Sequence, residues 1–157
     1  MKILVISDSH RRRSTMDAFC ELCSCPGAPE TVIHLGDHVS DVRYIRQCVR
    51  QRMISVAGNC DWGDEAQEEV IERLGGVDLL ICHGHTLHVK RSLLPITCRA
   101  READVRAALF GHTHAPLKEY AEGILLLNPG ALENGCYALM EIEGGEICAE
   151  LKRLAGF

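Results

Sequence analysis

Short apolar runs recur along this chain at residues 3–6, 31–35, 54–57, 79–82, 107–110, 124–127, 137–142 and 147–151. Runs of that length predict strands rather than helices. Between the early runs the spacing changes. Apolar residues fall near i, i+3 and i+4 over residues 15–22, 42–51 and 65–74, with a shorter stretch at 96–103, and these segments predict helices. Early alternation of strand and helix implies parallel pairing with helices covering the sheet. The last strands follow one another through turn signals such as Glu143-Gly144-Gly145-Glu146 and predict an antiparallel end. No linker, low-complexity tract or internal repeat interrupts the pattern, so the expectation is one domain, residues 1–157, holding a mixed α/β sandwich.

Composition narrows the function classes. A 157-residue globule buries roughly 68–70% of its unfolded surface and needs no staples to fold. The net charge of −5 repels a polyanion, which argues against non-specific nucleic-acid binding; a compact anionic substrate would need local positive charge. The longest apolar stretches, residues 77–82 and 123–127, fall far short of the ~20 residues that span a bilayer, and no secretion signal is visible. The nine cysteines are odd in number, and Cys48, Cys82, Cys136 and Cys148 lie within apolar periodic segments, so reduced thiols and a cytoplasmic location are expected. Cys20, Cys23 and Cys25 resemble half of a zinc site, but no second CxxC pair completes four ligands; incidental thiols at a helix end are the simpler reading.

Candidate chemistry sits where strands end. Asp8 and His10 follow the first run, Asp37 the second, Asn59 the third, His83 the fourth, and His112 with His114 the fifth. The carboxyl ends of parallel strands open onto one crevice, so these ends can converge. The i, i+2 pairs Asp8/His10 and His112/His114 are expected on extended backbone that aims both side chains to one side. Two carboxylates, an amide oxygen and four imidazoles suit Mn, Fe, Co, Ni or Zn rather than Ca or Mg alone. Seven ligands are too many for one such ion and suffice for two, sharing a carboxylate and a water. Two divalent ions, two aspartates and a bridging hydroxide leave a net charge of about +1, which favours a phosphate ester and lowers the pKa of the bridging water.

The ordered blocks Asp8-Ser9-His10, Gly36-Asp37 with Asp41 beyond, Gly58-Asn59-Cys60-Asp61, His83-Gly84-His85 and Gly111-His112-Thr113-His114 resemble the calcineurin-like metallophosphoesterase superfamily, and within it the small bacterial and archaeal phosphodiesterases. The resemblance runs from residue 5 to about residue 131 and includes Asn128-Pro129-Gly130. It implies a four-layer α/β sandwich of two mixed sheets flanked by helices. One ion would be held by Asp8, His10, Asp37 and His114 and the other by Asp37, Asn59, His83 and His112, with Asp37 bridging. The implied reaction is in-line attack of a bridging hydroxide on phosphorus, with manganese the first expectation and nickel, cobalt, iron or zinc as alternatives.

Cys60 stands where many superfamily members carry a histidine that helps the leaving group depart, although the small phosphodiesterases often have cysteine there too. A thiol donates poorly to an alkoxide, so good leaving groups should be favoured, with His85 or a bound water as proton donor. Asn59, Asp61 and His85 are therefore the candidate catalytic residues, and Arg11 and Cys60 the candidate substrate contacts. Arg11, Arg12 and Arg13 are equally well read as a solvated charge run before a helix capped by Ser14. Asp41 reads as an N-cap for a helix from Val42 or as a support behind the ligands. His34, His38 and His88 read as structural or peripheral, Trp62 and Asp64 as pocket rim or turn, and residues 128–130 as a turn. The expected partner is a small phosphate ester, with a homo-oligomer left open beside the monomer. The rival function is a catalytically silent interaction module like the similar retromer subunit. Retention of Asn59 and His83, where that subunit departs from the ligand pattern, favours an enzyme. A cysteine-rich storage or redox protein is a weaker third reading.

Overall fold

The structure, a computed structural model, describes residues 1–61 and 66–157. In chain order the elements are β1 (Lys2–Ile6), α1 (Arg13–Ser24), β2 (Thr31–His34), α2 (Val39–Cys48), β3 (Arg52–Ser55), β4 (Glu69–Leu74), β5 (Val77–Cys82), α3 (Leu94–Glu102), β6 (Ala107–Leu109), β7 (Leu117–Ala121), β8 (Ile124–Asn128), a 3-10 turn (Leu132–Asn134), β9 (Cys136–Glu143) and β10 (Glu146–Arg153). They form two five-stranded mixed sheets, ordered β10-β9-β1-β2-β3 and β4-β5-β6-β8-β7.

Side-chain alternation explains the layers. Along β1, Ile3 and Val5 face the second sheet, while Leu4 and Ile6 pack with Met16 and Phe19 of α1 and Ile45 of α2. Along β5, Leu79 and Ile81 meet the first sheet, while Leu80 and Cys82 pack against Ile96 and Ala100 of α3. Strands buried on both faces read as continuous apolar runs, and that is why β1, β2, β5 and β8 stand out in the sequence. The order helices, sheet, sheet, helix is the expected four-layer sandwich.

Parallel pairs β1·β2, β2·β3, β5·β6 and β6·β8 all send their carboxyl ends to one edge of the molecule. The last strands are antiparallel, as expected: β9 pairs with both β1 and β10.

Several local expectations are corrected. Residues 69–74 form strand β4 rather than the helix expected over 65–74, and Glu65 lies outside the described residues. The strand is half-exposed at a sheet edge, and Gly75-Gly76, both at positive φ, close a hairpin onto β5. Edge strand β7 was not anticipated because its residues are mostly polar and exposed. Helix α2 begins at Val39, so Asp41 lies in its first turn and His38 occupies the N-cap. Ser14 lies inside α1, whose N-cap is Arg12.

Candidate metal centre

Five loops meet at the shared strand edge, after β1, β2, β3, β5 and β6, and the backbone of the i, i+2 pairs departs from the extended geometry expected of them. Asp8, His10, Arg11, Asp37, His38, His112 and His114 all have φ between 43° and 65°. Left-handed backbone costs a side chain-bearing residue roughly 1–2 kcal/mol. Its concentration here needs support from neighbours, and the support is visible. Asp8 N donates to Gly36 O at 3.1 Å, Gly111 N to His83 O at 3.1 Å, His112 N to Asp8 Oδ2 at 3.1 Å and Cys60 N to Asp37 Oδ1 at 2.9 Å. Two glycines are sterically required: a Cβ on Gly58 would lie 2.2 Å from Asp37 Oδ1, and one on Gly111 would lie 1.9 Å from Ser7 Oγ.

Behind the loops runs a buried polar chain. Gly36 N donates to His34 Nδ1 at 3.2 Å, which leaves Nε2 to donate to Ser9 Oγ at 3.2 Å; Ser9 Oγ donates to Asp41 Oδ2 at 2.7 Å. Arg11 N also donates to Asp41 Oδ2, at 2.8 Å. Asp41 thus ties the Asp8–His10 loop to the first turn of α2, just beyond Asp37, and its N-cap reading gives way to this supporting one. Burial holds the His34 ring pKa down to about 4, so the ring stays neutral in this chain.

The donor atoms converge. Asp8 Oδ1 is buried and accepts no hydrogen bond, yet three imidazole nitrogens surround it: His114 Nε2 at 3.2 Å, His10 Nε2 at 3.8 Å and His83 Nε2 at 4.0 Å. His10 Nε2 and His114 Nε2 face each other at 3.2 Å. On the other side, Asp37 Oδ1 lies 3.5 Å from His83 Nε2, which is 3.2 Å from Asn59 Oδ1. Among the described residues, Asp8, His10 and His114, and Asp8, Asp37 and His83, are the two sets whose ligand atoms are close enough to share a cation. Mutually facing lone pairs around an orphaned carboxylate oxygen fit divalent cations. His112 stands beside them, its ring centroid 5.0 Å from that of His83.

Outer nitrogens decide which ring atom faces inward. His83 Nδ1 donates to Leu35 O at 2.8 Å, and His114 Nδ1 lies 3.1 Å from Glu133 Oε1, so both rings present Nε2. Burial alone would raise the Asp37 carboxyl, but the hydrogen bond and charge of His83 together with Cys60 hold it below the usual carboxylate range. Burial alone would lower His83, but Asp37 and Asp8 raise it. Each shift shows the acidic pair drawing positive charge to this spot. His112 is brought down to about 4, by burial and then by His83 and Lys90, and is therefore a neutral imidazole.

Other candidates take varied places. Asp61 accepts Val39 N at 2.7 Å and Gly58 N at 2.8 Å, so its two oxygens brace the loops. His85 borders a cleft of about 180 Å³ with Gly58, Asn59, Asp61 and Glu68, and its buried Nδ1 has no hydrogen-bond partner. Cys60 is exposed beside Asp37, and burial of its thiol and then contact with Asp37 push it up to about 11, so it stays protonated. Arg11 is exposed next to His10, whereas Arg13 lies over the Tyr44 ring at 3.5 Å and pairs with Asp17. The His38 ring stands edge-on to His10 at 5.1 Å, nearer than a peripheral residue.

Trp62 and Asp64 lie outside the described residues. Two wider hollows, of about 510 and 480 Å³, lie away from these loops around Cys20, Cys25, Cys48 and Cys23, and among the described residues no cysteine joins a three-ligand cluster.

Sequence reasoning missed two supports. Ser9 belongs to the buried chain with His34, whose structural reading holds, and Asn128 is more than a turn residue: its Nδ2 donates to Gly111 O at 2.7 Å and to Thr113 Oγ1 at 3.1 Å, gripping the His112–His114 loop.

Known proteins resemble this chain in sequence and in fold. Residues 1–145 match the calcineurin-like phosphoesterase superfamily domain. Probable metallophosphoesterase YsnB of Bacillus subtilis (strain 168) is 28% identical over 149 residues, covering 91% of this chain and 85% of that protein. Phosphodiesterase MJ0936 of Methanocaldococcus jannaschii is 30% identical over 146 residues, covering 83% of each. Among solved structures, a conserved uncharacterized protein described as a predicted phosphoesterase, from Streptococcus pneumoniae TIGR4, is similar with a TM-score of 0.76 at 24% identity over 97% of this chain and 88% of that one. Vps29 of Entamoeba histolytica, complexed with zinc, is similar with a TM-score of 0.76 at 21% identity over 98% and 99%. With the family domain matched across most of its length, the chain belongs to the calcineurin-like phosphoesterase superfamily.

Proposed function

We propose that this chain is a metal-dependent phosphodiesterase or phosphatase that hydrolyses a small phosphate ester. The observation that carries the proposal is the orphaned Asp8 Oδ1 ringed by the Nε2 atoms of His10, His83 and His114, with Asp37 alongside. Asp8, His10, Asp37 and His114 would hold one divalent ion and Asp37, Asn59, His83 and His112 a second, manganese first, with nickel, cobalt, iron or zinc also accepted. Such a pair supplies Lewis acidity and a water acidified into a nucleophile at neutral pH.

The chain's own residues then orient and exclude. Asp41 and Asp61 hold the loops. Arg11 is placed at the rim to meet a phosphate oxygen with its planar fork. His85 lines the cleft beyond Asn59, and burial followed by the nearby His83 lowers its pKa, so only the minor protonated form of its ring would give a proton to a leaving group at neutral pH. His85→Ala should lower kcat and alter its pH profile; an unchanged profile would remove His85 from the reaction.

The test is hydrolysis of a generic aryl phosphodiester and the matching monoester by metal-stripped protein reloaded with each divalent ion. Activity with at least one ion is expected. Two bound equivalents and no turnover with any ion would instead support the silent interaction module, a reading that the Vps29-like fold keeps in view. A cytoplasmic single domain over residues 1–157 is part of the same proposal; no helix among the described residues is long and apolar enough to cross a membrane.

A further inference from the structure

The two inward-facing histidines that approach Asp8 most differently are fixed by different partners. His83 is buried, and its outer nitrogen meets a main-chain carbonyl, Leu35 O. His114 is partly exposed, and its outer nitrogen meets a carboxylate, Glu133 Oε1, at 3.1 Å. Glu133 does not reach there by a loose side chain alone. Its residue sits in the 3-10 turn that is fastened to the Asp8 loop: Leu132 N donates to Ser7 O at 2.8 Å and Glu133 N to Asp8 O at 3.2 Å, and the Leu132 side chain is fully buried. One short turn therefore fixes the backbone of Asp8 and aims a carboxylate at the ring that faces Asp8 Oδ1.

We propose that Glu133 is a positioning residue that holds His114 as the Nδ1–H tautomer and aims its Nε2 at the Asp8–His10 side of the centre. The proposal rests on the reading of His114 as a metal ligand. A carboxylate behind a ligating imidazole locks ring orientation and enriches the inner nitrogen, and its loss typically costs about 10–100-fold in metal affinity or activity. A carbonyl partner, as at His83, locks the ring without adding a charge. Of the two cation sets, the one containing His114 should therefore be the one that responds to Glu133.

Calorimetric titration of metal-free protein with manganese, and separately with zinc, tests this on the wild type, Glu133→Gln and Glu133→Ala. Glu133→Ala should weaken one bound equivalent by about 10–100-fold and leave the other within about threefold. Glu133→Gln, which keeps an acceptor oxygen, should fall between. Nitrogen-15 NMR of the metal-free proteins should show His114 protonated at Nδ1 in the wild type and a mixture of tautomers in Glu133→Ala, with the thermal midpoint unchanged.

Wild-type affinity at both equivalents in Glu133→Ala, or an equal loss at both accompanied by a lowered thermal midpoint, would overturn the proposal. So would a wild type that binds neither ion. Failure of the phosphoesterase reading is seen separately, as ion binding without hydrolysis.

Discussion

The inner wall of the centre and its outer rim are built on different principles. Asp8, Asp37 and His83 are buried, and main-chain groups hold them: His112 N on Asp8, Cys60 N on Asp37 and Leu35 O on His83. His10, His112 and His114 are partly open to solvent and lean on other side chains, as His10 does on His38 and His114 on Glu133. Left-handed φ occurs in both regions, at Asp8 and Asp37 of the wall and at His10, His112 and His114 of the rim, so the difference lies in the partners: groups held by backbone are pre-organised, whereas groups held by side chains can be tuned by single substitutions. The contrast teaches that changes to the wall should abolish function and changes to the rim should grade it.

The sharpest way to break the wall is Asp37→Ala. Hydrolysis should fall by about three orders of magnitude in kcat/KM, equivalent to about 4 kcal/mol, with loss of tight binding of one ion or both by calorimetry. A loss under about tenfold would place Asp37 outside the centre.

Acid should strain the polar chain behind the wall next. The unfolded chain protonates a histidine near 6.5, while folded His34 resists until about 4, so between those values the unfolded state binds more protons and stability falls as the pH falls. The loss approaches about 3 kcal/mol once pH passes below 4. Asp37, held low in the folded state, gives up its contribution in the same direction at more acid pH. His83, raised in the folded state, acts oppositely: its contribution is complete below 6.5 and fades as pH rises through its folded value. Urea midpoints in chelator at pH 7 and pH 4.5 should show a clear drop, and equal midpoints would contradict it.

Gly58→Ala drives a methyl into Asp37 Oδ1 and should cost about 1–3 kcal/mol of stability, with weakened ion binding, read from thermal melts and titration. The rim gives the smallest effect. Arg11→Ala should raise KM by about tenfold with kcat nearly unchanged if the guanidinium meets substrate, and an unchanged KM would make Arg11 a solvated charge.

Much of this was readable in the chain because both the layers and the ligands follow from strand ends. A doubly buried strand such as β1 announces itself as an apolar run, and Asp8, Asp37 and His83 come within a few residues of such a run's end. Edge strands β4 and β7 do not announce themselves, since one face meets solvent and their composition is mixed. Glu69-Val70-Ile71-Glu72-Arg73-Leu74 suits a helix as well as a strand until the Gly75-Gly76 turn is weighed.

The conformation of the ligand loops was unreadable for another reason. The left-handed φ of Asp8 and His112 is imposed by hydrogen bonds from segments far away in sequence, such as Asp8 N to Gly36 O. Glu133 was hidden likewise, because its partner His114 follows β6 while its own turn leads into β9 of the other sheet, and the two come near only when both sheets are assembled; Asp41 was legible as one of two readings, and its bonds to Ser9 and Arg11 decide for the supporting one.

That assembly gives the centre a second consequence. Asp8, His10, Asp37 and Asn59 follow strands of one sheet, and His83, His112 and His114 follow strands of the other. An ion gripping both sets would work as a rivet through the seam between the sheets. An ion that bound only the closed sandwich, at a hundredfold excess over its Kd, would add about 2.7 kcal/mol against unfolding, so the metal supply of the surroundings would also set how long the protein survives heat.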